Sequence, residues 1–147
     1  MKALLTAAAL PVALLGMPGI AAAPAVADPG TGAANSVTSS PPFVDHSEWT
    51  QSNGLTSLRV FPTPAGRTAA RQPGAPASGD EAWAEVLALS PDADTPGMRA
   101  QFICHWQFAE LAEPGKTSWN LEPWRPVVDD AEMFASGCNP GGPKEAF

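Results

Sequence analysis

Cys104 and Cys138 are the only cysteines in the chain, and no other pair of residues constrains its fold as much. Bonded to each other, they close a loop of about 35 residues and contribute on the order of 3–4 kcal/mol in the chain-entropy account. That is a large share of a small domain's net stability. Their oxidation state depends on the compartment, which the N-terminus indicates. Lys2 is the only charge ahead of Asp28. An apolar run from Ala3 to Ala23, built on Leu4, Leu5, Leu10, Val12, Leu14 and Leu15, closes on Ala25-Val26-Ala27. A cationic start, an apolar run and a small-x-small site are the parts of a secretory signal, here residues 1–27. Pro11, Gly16 and Pro18 interrupt the run and no basic stop-transfer cluster follows, so a retained membrane anchor fits less well. The sequence therefore predicts a protein secreted to the extracellular space or cell wall. It would have no stable membrane span after cleavage, and Cys104–Cys138 would be a disulfide.

Cleavage leaves about 120 residues, enough for one domain. The formal net charge is −7. An acidic surface repels phosphates, which excludes nucleic acid as a natural partner and disfavours an anionic membrane surface. Residues 28–42, DPGTGAANSVTSSPP, hold almost no apolar mass and read as a flexible lead. The foldable domain is then 43–147.

Phe43 to Phe61 reads as a β-hairpin. Asn53-Gly54 is a two-residue turn whose residues both tolerate positive φ. Val44, His46 and Glu48 share one face of the first strand and Trp49 the other, while Leu58 and Val60 alternate with Arg59 on the second. Pro62 and Pro64 end the pair. Residues 64–79 read as a long Pro/Gly/Ala loop. Ser78 and Glu81 fit a capping box, and Trp83, Val86 and Leu87 then mark one face of a helix ended by Pro91. Met98 to Phe108 alternates in polarity, which favours a strand; Phe102, Ile103 and Trp106 also fit a helical face after Thr95-Pro96. Trp119 to Pro126 reads as extended, because residues before proline avoid the helical region. Asp129 to Phe134 can form a helical turn. The sum is an α+β fold: a small twisted antiparallel sheet, one main helix packed on it, and one disulfide.

Several constellations invite chemistry. Cys104-His105 suggests a thiol nucleophile, but a disulfide half beside a histidine on the opposite face of a strand explains it better. Asp45, His46 and Glu48 suggest a cation site or a base; a solvated strand face is the simpler account. Asp129, Asp130 and Glu132 match a glycosidase only in residue type. Two cysteines and two distant histidines lack zinc-ligand spacing, so no metal or cofactor is expected. Nucleophile-elbow, phosphate-loop and zinc-protease motifs are absent. The best candidate surface is Trp119, Glu122, Trp124 and Arg125. Aromatic faces beside a carboxylate and a guanidinium can stack on a sugar or a peptide.

Phe102-Ile103-Cys104-His105, Trp119 through Pro126 (WNLEPWRP) and Gly137 through Pro143 (GCNPGGP) resemble an exported actinobacterial domain family of unknown function. Trp49, Pro62-Thr63 and Gly66-Arg67 extend the likeness, which covers about residues 45–147. The family implies a compartment and no chemistry. In layout the chain is also similar to the Streptomyces subtilisin-inhibitor family, where a cysteine precedes by two residues the residue that enters the protease pocket. That resemblance implies Trp106 as the reactive residue and Gln107 after the scissile bond. It departs from the family at His105, where proline is usual, and in lacking a second cysteine pair. The functional expectation is a secreted, non-catalytic binding domain for a cell-wall polymer or a protein. The alternatives are an inhibitor of a secreted serine protease and a small secreted hydrolase.

Overall fold

The hairpin forms where its turn requires it. Asn53 and Gly54 take φ of 51° and 79°, and strands β1 (Val44–Ser52) and β2 (Leu55–Pro62) pair antiparallel from Ser52↔Leu55 outward. A bulge at Asp45 shifts the register between Val44 and His46. The computed structural model describes residues 39–72 and 76–142. The expected signal over residues 1–27, most of the expected lead over 28–42 and the last five residues lie outside that range. A third strand, β3 (Trp119–Leu121), pairs with β2 to give the order β1-β2-β3.

Helix α1 (Pro64–Ala70) stands where a loop is expected. The local signal is present: Thr63 Oγ1 accepts the Gly66 N–H at 2.9 Å, and Pro64 begins the helix, where its missing N–H costs nothing. Gly66 is required, because a Cβ there would overlap the Phe43 carbonyl. Helix α2 (Pro76–Leu89) starts at Pro76 rather than after a Ser78 cap. Its inner face carries buried Trp83 and Val86 as the spacing predicts. A short 3-10 turn follows at Pro91–Ala93.

Helix α3 (Met98–Ala112) corrects the strand expectation for 98–108. Its buried positions include Met98, Gln101, Phe102, His105, Trp106 and Ala109, a spacing of three and four. Polar Gln101 and His105 mimic the solvent side of a strand, yet both are buried. Helix α4 (Asp130–Ala135) is capped by Asp129, whose Oδ1 accepts the Glu132 N–H at 2.9 Å. The fold is α+β as expected, and among the described residues α3 stands beside α2 as a second long helix. The Cys104–Cys138 disulfide joins α3 to the turn after α4.

The main core lies between one face of the sheet and the helices. Leu58, Val60, Trp119 and Leu121 meet Phe102 and Trp106 of α3 and Trp83 of α2. Trp106 stands edge-on to Trp119 at 6.0 Å and to Phe43 at 5.7 Å, the offset geometry that aromatic quadrupoles favour. Cys104, Met133 and Cys138 form a separate cluster under α4.

Candidate functional site

The tryptophan motif expected to carry a ligand surface mostly faces inward. Trp119 is 0% exposed, Glu122 1% and Arg125 3%, while Trp124 reaches 36%. Arg125 Nε donates to Glu122 Oε2 at 2.6 Å, and its Nη1 donates to the carbonyls of Pro140 at 3.1 Å and Gly142 at 3.2 Å. The ring of Trp124 covers the guanidinium at 4.5 Å. Glu122 thus orients Arg125, and Arg125 ties down the segment that follows Cys138. These side chains are a clasp. Three of the four are committed to interior partners, so the stacking platform read from the sequence is not presented.

The sheet edges explain the polar residues buried in α3. Ser52 and Leu55 close a two-residue turn as a bonded pair, so Leu55, Ser57, Arg59 and Phe61 bond toward β1. Leu58 and Val60 then bond toward Leu121 and Trp119, which leaves Asn120 and Glu122 facing the free side of β3. That side is sealed by α3. Gln101 Nε2 donates to the Glu122 carbonyl at 3.0 Å, and the Glu122 N–H donates to Gln101 Oε1 at 2.9 Å. His105 Nε2 donates to the Asn120 carbonyl at 3.1 Å.

The remaining candidates fall apart in space or are occupied. Trp106 is mid-helix and 4% exposed, so neither it nor the Trp106–Gln107 bond is offered to a protease as an extended loop. Cys104 is oxidised and His105 bonds to backbone, so no thiol–imidazole pair exists. Asp129 caps α4, with Asp130 and Glu132 exposed in its first turn. On the outer sheet face His46 bonds Asp45 at 2.6 Å and stacks on Phe61 at 4.1 Å, while Glu48 pairs with Arg59 at 3.3 Å. Among the described residues no three His, Cys, Asp or Glu side chains could hold a metal ion.

Glu110 forms a second buried ionic cluster. Its carboxylate accepts from Arg67, from Arg71 at 2.7 Å and from the Gly115 N–H at 3.3 Å. Burial pushes its pKa up, but the Arg71 and Arg67 hydrogen bonds, the Gly115 N–H and the Arg67 charge outweigh it and hold the carboxyl below its usual value. Arg67 also donates to the Lys116 carbonyl at 2.6 Å. The cluster binds α1 to the end of α3.

Two openings stand among the described residues. The larger, about 420 Å³, is a groove between the start of β1 and α2, lined by Pro41, Pro42, Val44, Glu85, Ala88 and Leu89. Glu85 Oε2 accepts the N–H groups of Phe43 and Val44, each at 2.7 Å, and fixes the chain's entry into β1. Leu89 is 49% exposed on its wall. The smaller, about 160 Å³, lies between α3 and α4, where Phe108 meets Phe134 edge-on at 4.9 Å. The sequence itself barely hints at the groove. Its one signal was Leu89, an apolar residue out of phase with the Trp83–Val86 face.

The chain is similar throughout to an uncharacterized protein of Mycobacterium bovis and to one of Mycobacterium tuberculosis, 64% identical over 150 residues with each chain fully covered. An uncharacterized protein of Mycobacterium leprae is 63% identical over 100 residues, which are 68% of this chain and 80% of its own. No solved structure matches this chain. Residues 44–141 match the model of the family described as protein of unknown function, DUF2599. The expectation of an actinobacterial family without assigned chemistry is met: the chain belongs to the DUF2599 family.

Proposed function

We propose that this chain is an exported, non-catalytic binding domain whose contact surface is the β1–α2 groove. The observation that carries the reading is the groove itself: apolar walls from Pro41, Pro42, Val44, Ala88 and Leu89 around a single carboxylate, on a domain whose motif residues are otherwise turned inward. Apolar concavities with few polar groups are the usual place for a ligand. Export is supported by the signal pattern of residues 1–27 and by the disulfide, which persists in oxidising compartments. His105, Glu122 and Asp129 are engaged in structural bonds and Asp130 and Glu132 lie spread on the surface, which favours binding over catalysis.

The test is retention of the purified domain on isolated cell wall and on proteins of the culture medium. Leu89→Asp places a charge on the groove wall without touching the core, and it is expected to abolish retention while leaving the melting temperature within a few degrees. Undiminished retention by that variant would remove the groove from the reading.

A further inference from the structure

The open edge of the sheet identifies the partner. The bonding alternation that starts at Ser52↔Leu55 directs His46, Glu48, Thr50 and Ser52 toward β2. Ser47, Trp49 and Gln51 therefore aim their N–H and C=O groups away from the sheet, spaced about 6.8 Å apart. No strand pairs with that side among the described residues. The opposite edge is sealed by Gln101 and His105, whereas here the inner-face side chains are already engaged elsewhere. Ser47 Oγ meets Ser90 Oγ at 3.0 Å, and the Trp49 indole donates to Asp92 at 3.1 Å. A nine-residue edge with unpaired backbone groups is a template for another strand.

The groove opens at Val44, the first residue of the same strand, so a segment lying along β1 runs into it. Charge selects among segments. Asp45 and Glu48 stand exposed on β1 and Asp92 lies beside Trp49, in a chain of net charge −7. A second copy would bring the same carboxylates together and be repelled. We propose that the partner is an extended, lysine- or arginine-bearing segment of another protein, added as a strand to β1 with an apolar side chain in the groove. This rests on the groove being the binding surface.

The experiment uses the chain with its disulfide intact and a short synthetic peptide alternating valine and lysine. Amide exchange at Ser47, Trp49 and Gln51 is expected to slow about tenfold or more on binding. The same peptide N-methylated along its bonding edge, or with glutamate for lysine, is expected to lose most of its affinity. Gln51→Pro removes one outward N–H and spares the β1–β2 bonds, so it should weaken the valine–lysine peptide about fivefold. Should that variant fail to fold, the N-methylated peptide decides alone. Binding that ignores N-methylation and leaves the three amides unprotected overturns strand addition, yet leaves the groove standing if Leu89→Asp still abolishes it. Protection that rises with protein concentration in the absence of peptide assigns the edge to a second copy and overturns the proposal. Peptide binding insensitive to Leu89→Asp, with the three amides protected, keeps strand addition and removes the groove.

Discussion

The two edges of the small sheet are finished in opposite ways. At β3 the outward carbonyl of Asn120 and both outward backbone groups of Glu122 are taken up by His105 and Gln101 from α3, and the chain beyond is clasped by Arg125. At β1 the entry is fixed by Glu85, and no strand pairs with the rest of the edge among the described residues. Polar side chains buried near β3 satisfy backbone that would otherwise be stranded away from water. A polar residue in this fold is thus a poor guide to the ligand surface. The absence of such residues along β1 is the better one.

The contrast is broken most severely at the clasp. Arg125→Ala strands the Glu122 carboxylate in the interior, and loss of one partner of a buried ion pair costs about 3–5 kcal/mol. Urea unfolding is expected to show that loss. Binding in the groove, measured on the fraction that stays folded, should be unchanged. A loss under about 1 kcal/mol would mean the pair is more hydrated than its burial implies.

Gln101→Leu tests the sealed edge itself. It keeps the helix and most of the volume but leaves the Glu122 N–H and C=O without their partner. Each stranded group costs about 1–3 kcal/mol, so the domain should lose about 2–6 kcal/mol in all. Amide exchange at Glu122 should rise toward that of the unpaired β1 amides. If Glu122 stays protected, α3 is not what seals β3.

Glu110 distinguishes the α1–α3 side by pH. Its folded pKa is lowered from 4.5, so its contribution is fully present above that value and is lost as pH falls through the lower, folded one. The wild-type chain is expected to lose stability in that acidic window more steeply than Glu110→Gln, with the two slopes converging once the wild-type carboxyl is protonated. The Arg71 side chain is half exposed, so its share of the effect is small. Equal slopes for the two chains would show that the arginines do not hold the carboxylate.

Local sequence was enough for the hairpin, the α2 face and the disulfide. Asn53-Gly54 can only turn one way, Trp83 and Val86 repeat at helical spacing, and the two cysteines had one partner each. The α1 start is also written locally, in Thr63-Pro64, but a proline that ends a strand and one that begins a helix look alike until the Thr63 cap is in place. Helix α3 was not legible. Its alternation assigns Gln101 and His105 to solvent, and only the position of β3 shows that they face an unsatisfied strand edge. The same holds for Glu122 and Arg125, whose ligands are carbonyls on Pro140 and Gly142. Charges beside tryptophans suggest a ligand surface until those long-range partners are in place. The groove needed Pro41 and Pro42 to meet α2, which no spacing in the sequence encodes.

The smallest effect bears most directly on the comparison. Trp124 is the one of the four candidate side chains still open to solvent, lying over Arg125 as a cation–π lid. Trp124→Ala removes that cover but none of the guanidinium's hydrogen bonds, so stability should fall by only about 0.5–1 kcal/mol. Binding through the groove should not change at all, because Trp124 does not line it. Calorimetry on Trp124→Ala beside Leu89→Asp separates the two regions in one measurement. If the tryptophan variant loses the ligand and the leucine variant keeps it, the clasp side carries the function and the open β1 edge is only an edge.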